Sequence, residues 1–246
     1  MPVVTMSGNI ASGAREVGLL VARALCVDFV DQQLMVHAAQ RCGIGGYAYA
    51  GQSCISVQRI LVHESVYQRF LDAFVARVKA LKVGDPLDPA TEVGPMIDEK
   101  TAQRAEAWIN AAVAAGARAP AGGPRRGSLV QPTVLVDTRS DMAVNCEEVF
   151  APITTVTAYR DFGDALRILN DSPYGLQAGV FTPDVRKLMR AWNELDVGGV
   201  MGNEIPSWRV DRMPYGGAKA SGLGREGVRY AIQEMTELRL LTLAEG

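Results

Sequence analysis

A largely parallel α/β sheet is the architecture expected of this chain, and three features point to it. From residue 56 onward, short β-branched apolar runs alternate with stretches whose apolar residues recur at helical spacing. Glycine- and proline-rich stretches, "VGDPLDPATEVGPMID" and "YGGAKASGLGREG", punctuate this alternation. Hydrophobic residues make up 48% and charged residues 21%, enough for a sizeable core and too apolar for disorder.

The opening segment, "PVVTMSGNIASGAREVGLLVARALCVDFVDQQL", reads as strand, glycine loop, helix and strand. Val17, Leu20, Val21 and Leu25 form its helical stripe. A second helix is predicted over Gln33 to Arg41, after which Gly43, Gly45 and Gly46 punctuate the chain. "SVQRILVH" is a strand. Ser65 is placed to cap a helix whose buried stripe is Val66, Phe70, Phe74, Val78 and Leu81. "VGDPLDPATEVGPMID" is a long ordered loop, pinned by Pro86, Pro89 and Pro95.

A helix over about 99–115 follows, then strands near 129–136 and 153–159 and a helix near 162–171. "GLQAGVFT" is a strand, 184–195 a helix and "VGGVMGN" a strand. The glycine-rich "YGGAKASGLGREG" leads into a last helix and the strand-like "LRLLTL".

Composition removes several classes of function. A formal charge of -2 offers no attraction to nucleic acid, and the one tight basic pair, Arg125-Arg126, reads as a solvated loop. No apolar run approaches a membrane span, and "MPVVTMSGNIASG" lacks the basic start and long apolar run of a signal peptide. Four cysteines without CxxC spacing and two histidines make a disulfide framework or a metal site unexpected. A protein of the reducing cytoplasm is the resulting expectation.

Three stretches carry chemistry. In "AYAGQSCISVQRI" Cys54 follows Gly51, which permits a tight bend. A buried structural thiol is the ordinary reading of a lone cysteine. A bend that aims backbone N–H groups at an attacked carbonyl is the alternative, with activation from amides, nearby charge or a carboxylate. In "CEEVFAP" the adjacent Glu147 and Glu148 cannot both be buried unpaired, which leaves a solvated strand end or a ligand contact. In "PYGGAKASGLGREG" five glycines in fourteen positions mark either a flexible loop or backbone run close against a neighbouring element.

Together with "VGDPLDPATEVGPMI" and "YGLQAGVFT", these stretches in this order resemble the aldehyde dehydrogenase superfamily from about Gly45 to the C-terminus. The resemblance implies a catalytic α/β domain that oxidises a small aldehyde to a carboxylic acid with NAD or NADP. Cys54 is implied as the thiolate that attacks the aldehyde and carries the thioester. Glu148 is implied as the carboxylate that bonds the nicotinamide ribose, and Phe150 as the ring packed beside the nicotinamide. Arg209, in "PSWRVDRMPYGG", falls in the loop that borders the substrate tunnel, where it meets an anionic substrate or pairs with Asp211. The resemblance also implies a homo-oligomer, with "ELRLLTL" as an edge that pairs with another subunit.

The departures set further expectations. The E-L-G-G motif that the resemblance implies for the general-base glutamate does not occur. The residues ahead of Gly45 are too few for a dinucleotide-binding domain. They resemble instead the start of cytidylate-kinase-like P-loop proteins, with Gly8 and Gly13 in a G-x-x-x-x-G frame but Ala14-Arg15 in place of Lys-Ser/Thr. The chain is therefore read as a P-loop-like βαβ fragment over 1–43, foreign to the rest, and an aldehyde dehydrogenase catalytic domain over 44–246. On that reading oxidation by this chain alone is impaired. A non-catalytic or oligomerising remnant of the same fold is the rival reading, and a phosphate or nucleotide binder led by the glycine loop is the third.

Overall fold

The computed structural model of the protein describes Leu20 and residues 32–244. Apart from Leu20, the expected P-loop-like strand, loop and helix lie outside the described residues, as does Cys26.

The first helix, α1 (Gln32–Gly45), runs past the expected stop at Arg41 and through Gly43. It continues because its glycines are packing points and not breaks. A Cβ on Gly43 would meet Arg77 Cγ at 2.6 Å, and one on Gly45 would press on Ile205 and Ser207. Ala38, Ala39 and Cys42 of this helix and Tyr47 and Ala50 beyond it belong to the main core, so residues on both sides of Gly43 share one hydrophobic cluster.

Strand β1 (Arg59–His63) leads through a 3₁₀ turn (Glu64–Val66) into α2 (Tyr67–Lys79). Phe70, Leu71, Phe74 and Val78 of α2 are buried. Each such side chain contributes about 1.5–3 kcal/mol of burial. Val66 and Leu81, at the ends of the expected stripe, pack partly buried against the same cluster. Ser65 does not cap α2. Its N–H donates to His63 Nδ1 at 3.3 Å and its hydroxyl pairs with the same nitrogen at 2.7 Å, so the imidazole has already engaged it.

Helix α3 (Glu99–Ala114) is capped as a helix start should be, with Asp98 accepting from the Thr101 N–H at 2.7 Å. Then come β2 (Arg118–Ala121), β3 (Thr133–Val136), the one-turn α4 (Ala143–Cys146), β4 (Ile153–Tyr159) and α5 (Phe162–Asn170). The sheet order is β1-β4-β3-β2, with β1, β4 and β3 mutually parallel and β2 antiparallel at the edge. The sheet is thus mixed. The edge strand "RAPA" escapes a sequence reading because Pro120 argues against a strand except at an edge.

A second, smaller core holds Leu166, Val180, Ala191 and Leu195. It is built from α5, the parallel pair β6 (Gln177–Val180) and β7 (Gly199–Gly202), and α6 (Val185–Glu194). The two-residue strands β5 (Tyr174–Gly175) and β8 (Ala218–Lys219) pair antiparallel, and α7 (Val228–Glu234) follows. The expected strand "LRLLTL" is not formed. Leu238, Leu240, Leu241 and Leu243 are all exposed, and among the described residues no strand offers that segment a ladder.

Candidate active site

The turn that carries Cys54 is built from unusual backbone. Tyr49, Ala50 and Gly51 are three successive left-handed residues, with φ of 54°, 54° and 69°. A non-glycine residue in that region costs about 1–2 kcal/mol, so the surroundings must enforce it. They do so on several sides. Tyr47, 1% exposed, donates its hydroxyl to the Thr133 carbonyl at 3.0 Å. Gln52 accepts from the Ile97 N–H at 2.9 Å and so ties the turn to the proline-pinned loop. Ser207 donates to the Ile55 carbonyl at 2.8 Å.

Gly51 lies directly against the Ala151 carbonyl and Pro152. A side chain there would collide with backbone, so the glycine brings the cysteine turn and the segment 147–152 together. Cys54 is the exposed cysteine of the three described. Among the described residues, its N–H and that of Ile55 have no acceptor, which leaves both amides able to donate to an oxygen at the thiol.

Cys54 opens onto a cavity of about 920 Å³ between the two cores, whose lining includes Glu148, Tyr215, Gly216 and Glu226. Glu147 and Glu148 are both exposed, as their lack of partners requires. Among the described residues the Glu148 carboxylate has no hydrogen-bond or ion-pair partner. Phe150 does not line this cavity. It is 37% exposed beside it, with a left-handed φ of 48°.

The glycine-rich loop is held as close-packed backbone rather than left flexible. A Cβ on Gly198 would strike the Gly216 carbonyl, and Lys219 donates to the Asn170 and Ser172 carbonyls at 2.9 and 3.1 Å. Arg209 also stands off the cavity wall but reaches it through Tyr215. Its guanidinium lies 4.1 Å over the Tyr215 ring and 3.5 Å from Glu226, not paired with Asp211. Tyr215 and Glu226 exchange backbone hydrogen bonds at 3.2 and 2.6 Å, so the stack and the ion pair sit on one rigid corner. Burial, and after it the charge of Cys54, raise the Tyr215 phenol above its ordinary range and keep it a neutral donor. Sequence alone does not single out Tyr215, although it stands in the quoted "PYGG" close to the arginine.

Among the described residues, Cys42, Cys146 and His37 are held by packing or backbone contacts. Cys42 is buried, and desolvation pushes its thiol to about 12. Cys146 is half-buried, with its thiol 3.6 Å from the Asp141 carbonyl. His37 packs edge-on to Phe181. Among the described residues there is no group of histidine, cysteine and carboxylate side chains able to hold a metal ion, and no helix long and apolar enough to cross a membrane.

The profile of the aldehyde dehydrogenase family matches residues 26–241. A 3-sulfolactaldehyde dehydrogenase of Priestia aryabhattai is 46% identical over 194 residues, which are 79% of this chain and 41% of that protein. The structure is similar to that of aldehyde dehydrogenase 21 from Physcomitrella patens in complex with the reaction product succinate. The TM-score is 0.81 at 43% identity, over 84% of this chain and 42% of that one. It is also similar to the glyceraldehyde-3-phosphate dehydrogenase of Methanocaldococcus jannaschii complexed with NADP, with a TM-score of 0.79 at 39% identity over 82% and 44% of the two chains. The chain therefore spans less than half the length of the relatives it matches.

Proposed function

The chain belongs to the aldehyde dehydrogenase family, and we propose that it supplies the acyl-forming half of an NAD(P)-dependent aldehyde oxidation, with Cys54 as the nucleophile. The observation that carries this reading is the exposed Cys54 on a left-handed turn docked against residues 147–152, at the mouth of the shared cavity. The thiolate attacks the aldehyde carbon, and the unpartnered amides of Cys54 and Ile55 receive the oxyanion of the thiohemiacetal. Bound NAD(P) would supply the hydride acceptor that converts this adduct to a thioester. Glu148 fits its ribose end, because a carboxylate without a protein partner on the cavity wall can accept from two hydroxyls. Phe150, half exposed beside it, offers a face to a flat ring.

Arg209 is assigned to the tail of the substrate. Stacked on Tyr215, it puts a fixed positive charge at the corner of the cavity, which suits an aldehyde that carries a carboxylate, sulfonate or phosphate. The relatives named for 3-sulfolactaldehyde and crystallised with succinate support that substrate class. The exposed leucines at 238–243 are proposed as a self-association edge. The P-loop-like reading of residues 1–43 rests on the Gly8 and Gly13 frame alone.

The test uses small anionic and neutral aldehydes as protectants of the thiol. Each aldehyde should slow alkylation of Cys54, and the anionic ones should do so at lower concentration. Alkylation indifferent to every aldehyde would refute the assignment of Cys54 as nucleophile.

A further inference from the structure

Resting on that function, we propose that Gln58 and Arg104 are positioning residues that clamp the backbone of Val149, one at its N–H and the other at its carbonyl, and so hold Glu148 and Phe150 in register with Cys54. Gln58 lies four residues after Cys54, one step before β1, and its carbonyl accepts from the Thr155 N–H at 2.8 Å. It is therefore fixed to the sheet that the cysteine turn feeds. Its side-chain amide makes three bonds to a single segment. Nε2 donates to the Glu147 carbonyl at 2.8 Å and the Val144 carbonyl at 3.2 Å, and Oε1 accepts from the Val149 N–H at 3.1 Å. Glu148 is thus spanned by bonds to the residue before it and the residue after it.

The next peptide unit, which carries the Val149 carbonyl, is held from α3. Arg104 Nη2 donates to the Val149 carbonyl at 2.8 Å, and the guanidinium is itself steadied 4.8 Å over the Trp108 ring. Val149 is 1% exposed, so both of its backbone groups would be left unsatisfied without these partners. The next residue, Phe150, is forced to a φ of 48°, a conformation its side chain disfavours. Ala151 follows at once, where Gly51 presses on its carbonyl. The segment is pinned at 147, 149 and 151, and the residues between the pins are the two assigned to the cofactor. Such pinning needs an amide that donates and accepts at once at residue 58, and a cation at residue 104.

The experiment compares Gln58→Leu, Gln58→Glu and Arg104→Met in the 246-residue chain. Val149 amide hydrogen exchange, affinity for NAD+ by fluorescence titration and acylation of Cys54 by p-nitrophenyl acetate are measured. Gln58→Leu and Arg104→Met should each weaken NAD+ by about tenfold, the effect of unpairing one buried backbone group. Acylation of Cys54 should fall by a smaller factor. Val149 exchange should accelerate in Gln58→Leu and recover in Gln58→Glu, which keeps the acceptor. Val149 exchange unchanged in Gln58→Leu would overturn the clamp. So would losses of affinity no larger than the losses of acylation, since both residues would then be merely structural. A wild-type chain that does not bind NAD+ would remove the assignment of Glu148 and Phe150 to the cofactor in this chain while leaving Cys54 as the nucleophile, and the clamp would then stand or fall on Val149 exchange alone.

Discussion

Gly51 rests against the carbonyl of Ala151, with no room between them for a methyl group. This contact joins the stretch that carries the thiol to the stretch that carries Glu148, two segments about a hundred residues apart. Gly51 is also left-handed, with a φ of 69°. Gly51→Ala therefore meets backbone strain and overpacking together and should destabilise the fold by roughly 3 kcal/mol. Urea denaturation would show it as a lower midpoint at unchanged slope. The conservative surface change Gly127→Ala, also left-handed but with open space around it, should cost less. Equal costs would mean that φ alone matters and the Ala151 contact does not.

Thiol chemistry should separate Cys54 from Cys42 by a wide margin. Limiting iodoacetamide on the folded protein should label Cys54 first, because it is exposed while Cys42 is buried with its thiol pushed to about 12. Peptide mass spectrometry after brief treatment decides this. Labelling of Cys42 ahead of Cys54 would contradict the placement of both.

The same burial predicts an alkaline weakness. The Cys42 thiol ionises near 9.0 when solvated and near about 12 in the fold, and the buried Tyr47 phenol is raised in the same direction. A raised pKa in the native state means that the unfolded chain loses its proton first. The contribution to stability is therefore whole below pH 9 and is lost as pH climbs toward 12. Melting temperature should fall over that window in the wild type and fall less steeply in Cys42→Ala. Parallel curves for the two proteins would exclude Cys42 as a cause.

Much of this molecule beyond residue 56 is legible in its sequence because apolar periodicity maps directly onto burial. The stripe Phe70, Phe74 and Val78 is buried as its spacing predicts, and the strand over 153–159 is found at those residues. Features that depend on a partner far away in sequence are not legible. Gly43 reads as punctuation until Arg77 is seen against it. Ser65 fails as a cap for a local reason, because His63 two residues before it engages the hydroxyl. "LRLLTL" has the pattern of a strand but no ladder among the described residues. At the site, motifs bring Cys54 and Glu148 forward as candidates, yet the contacts of Tyr215 and Gln58 are ones that local spacing does not encode. A polar glutamine inside the apolar run "CISVQRI" is the one available signal for Gln58.

Arg209 should govern selectivity rather than stability. Its ion pair with Glu226 and its stack on Tyr215 are partly exposed, so Arg209→Met should cost less than about 1 kcal/mol of folding free energy. Protection of Cys54 by aldehydes that bear an anionic tail should need about tenfold more ligand in the variant, the loss expected for one charge-assisted hydrogen bond. Neutral aldehydes of the same length should be unaffected. If both classes weaken equally, Arg209 shapes the Tyr215 corner without meeting the substrate.

Release of the acyl group should be the slow step in this chain. Hydrolysis of a thioester on Cys54 needs a base to activate water, and among the described residues no carboxylate or imidazole hydrogen-bonds the thiol. Glu226 lies 3.5 Å from Arg209, and Glu234 accepts from the Arg225 N–H at 3.3 Å, so these two cavity carboxylates are already engaged. Without such a base, deacylation should be slower by about 10²–10⁴-fold than with one in place. Mixing the protein with p-nitrophenyl acetate should therefore release a burst of nitrophenol of about one equivalent, then settle to a slow steady state, and Cys54→Ala should show no burst. The acyl group should survive on the Cys54 peptide long enough for mass spectrometry. Rapid linear turnover that persists in the wild type and vanishes in Cys54→Ala would mean that a base does reach the thioester. Glu148→Gln would then show whether the unpartnered carboxylate on the cavity wall is that base.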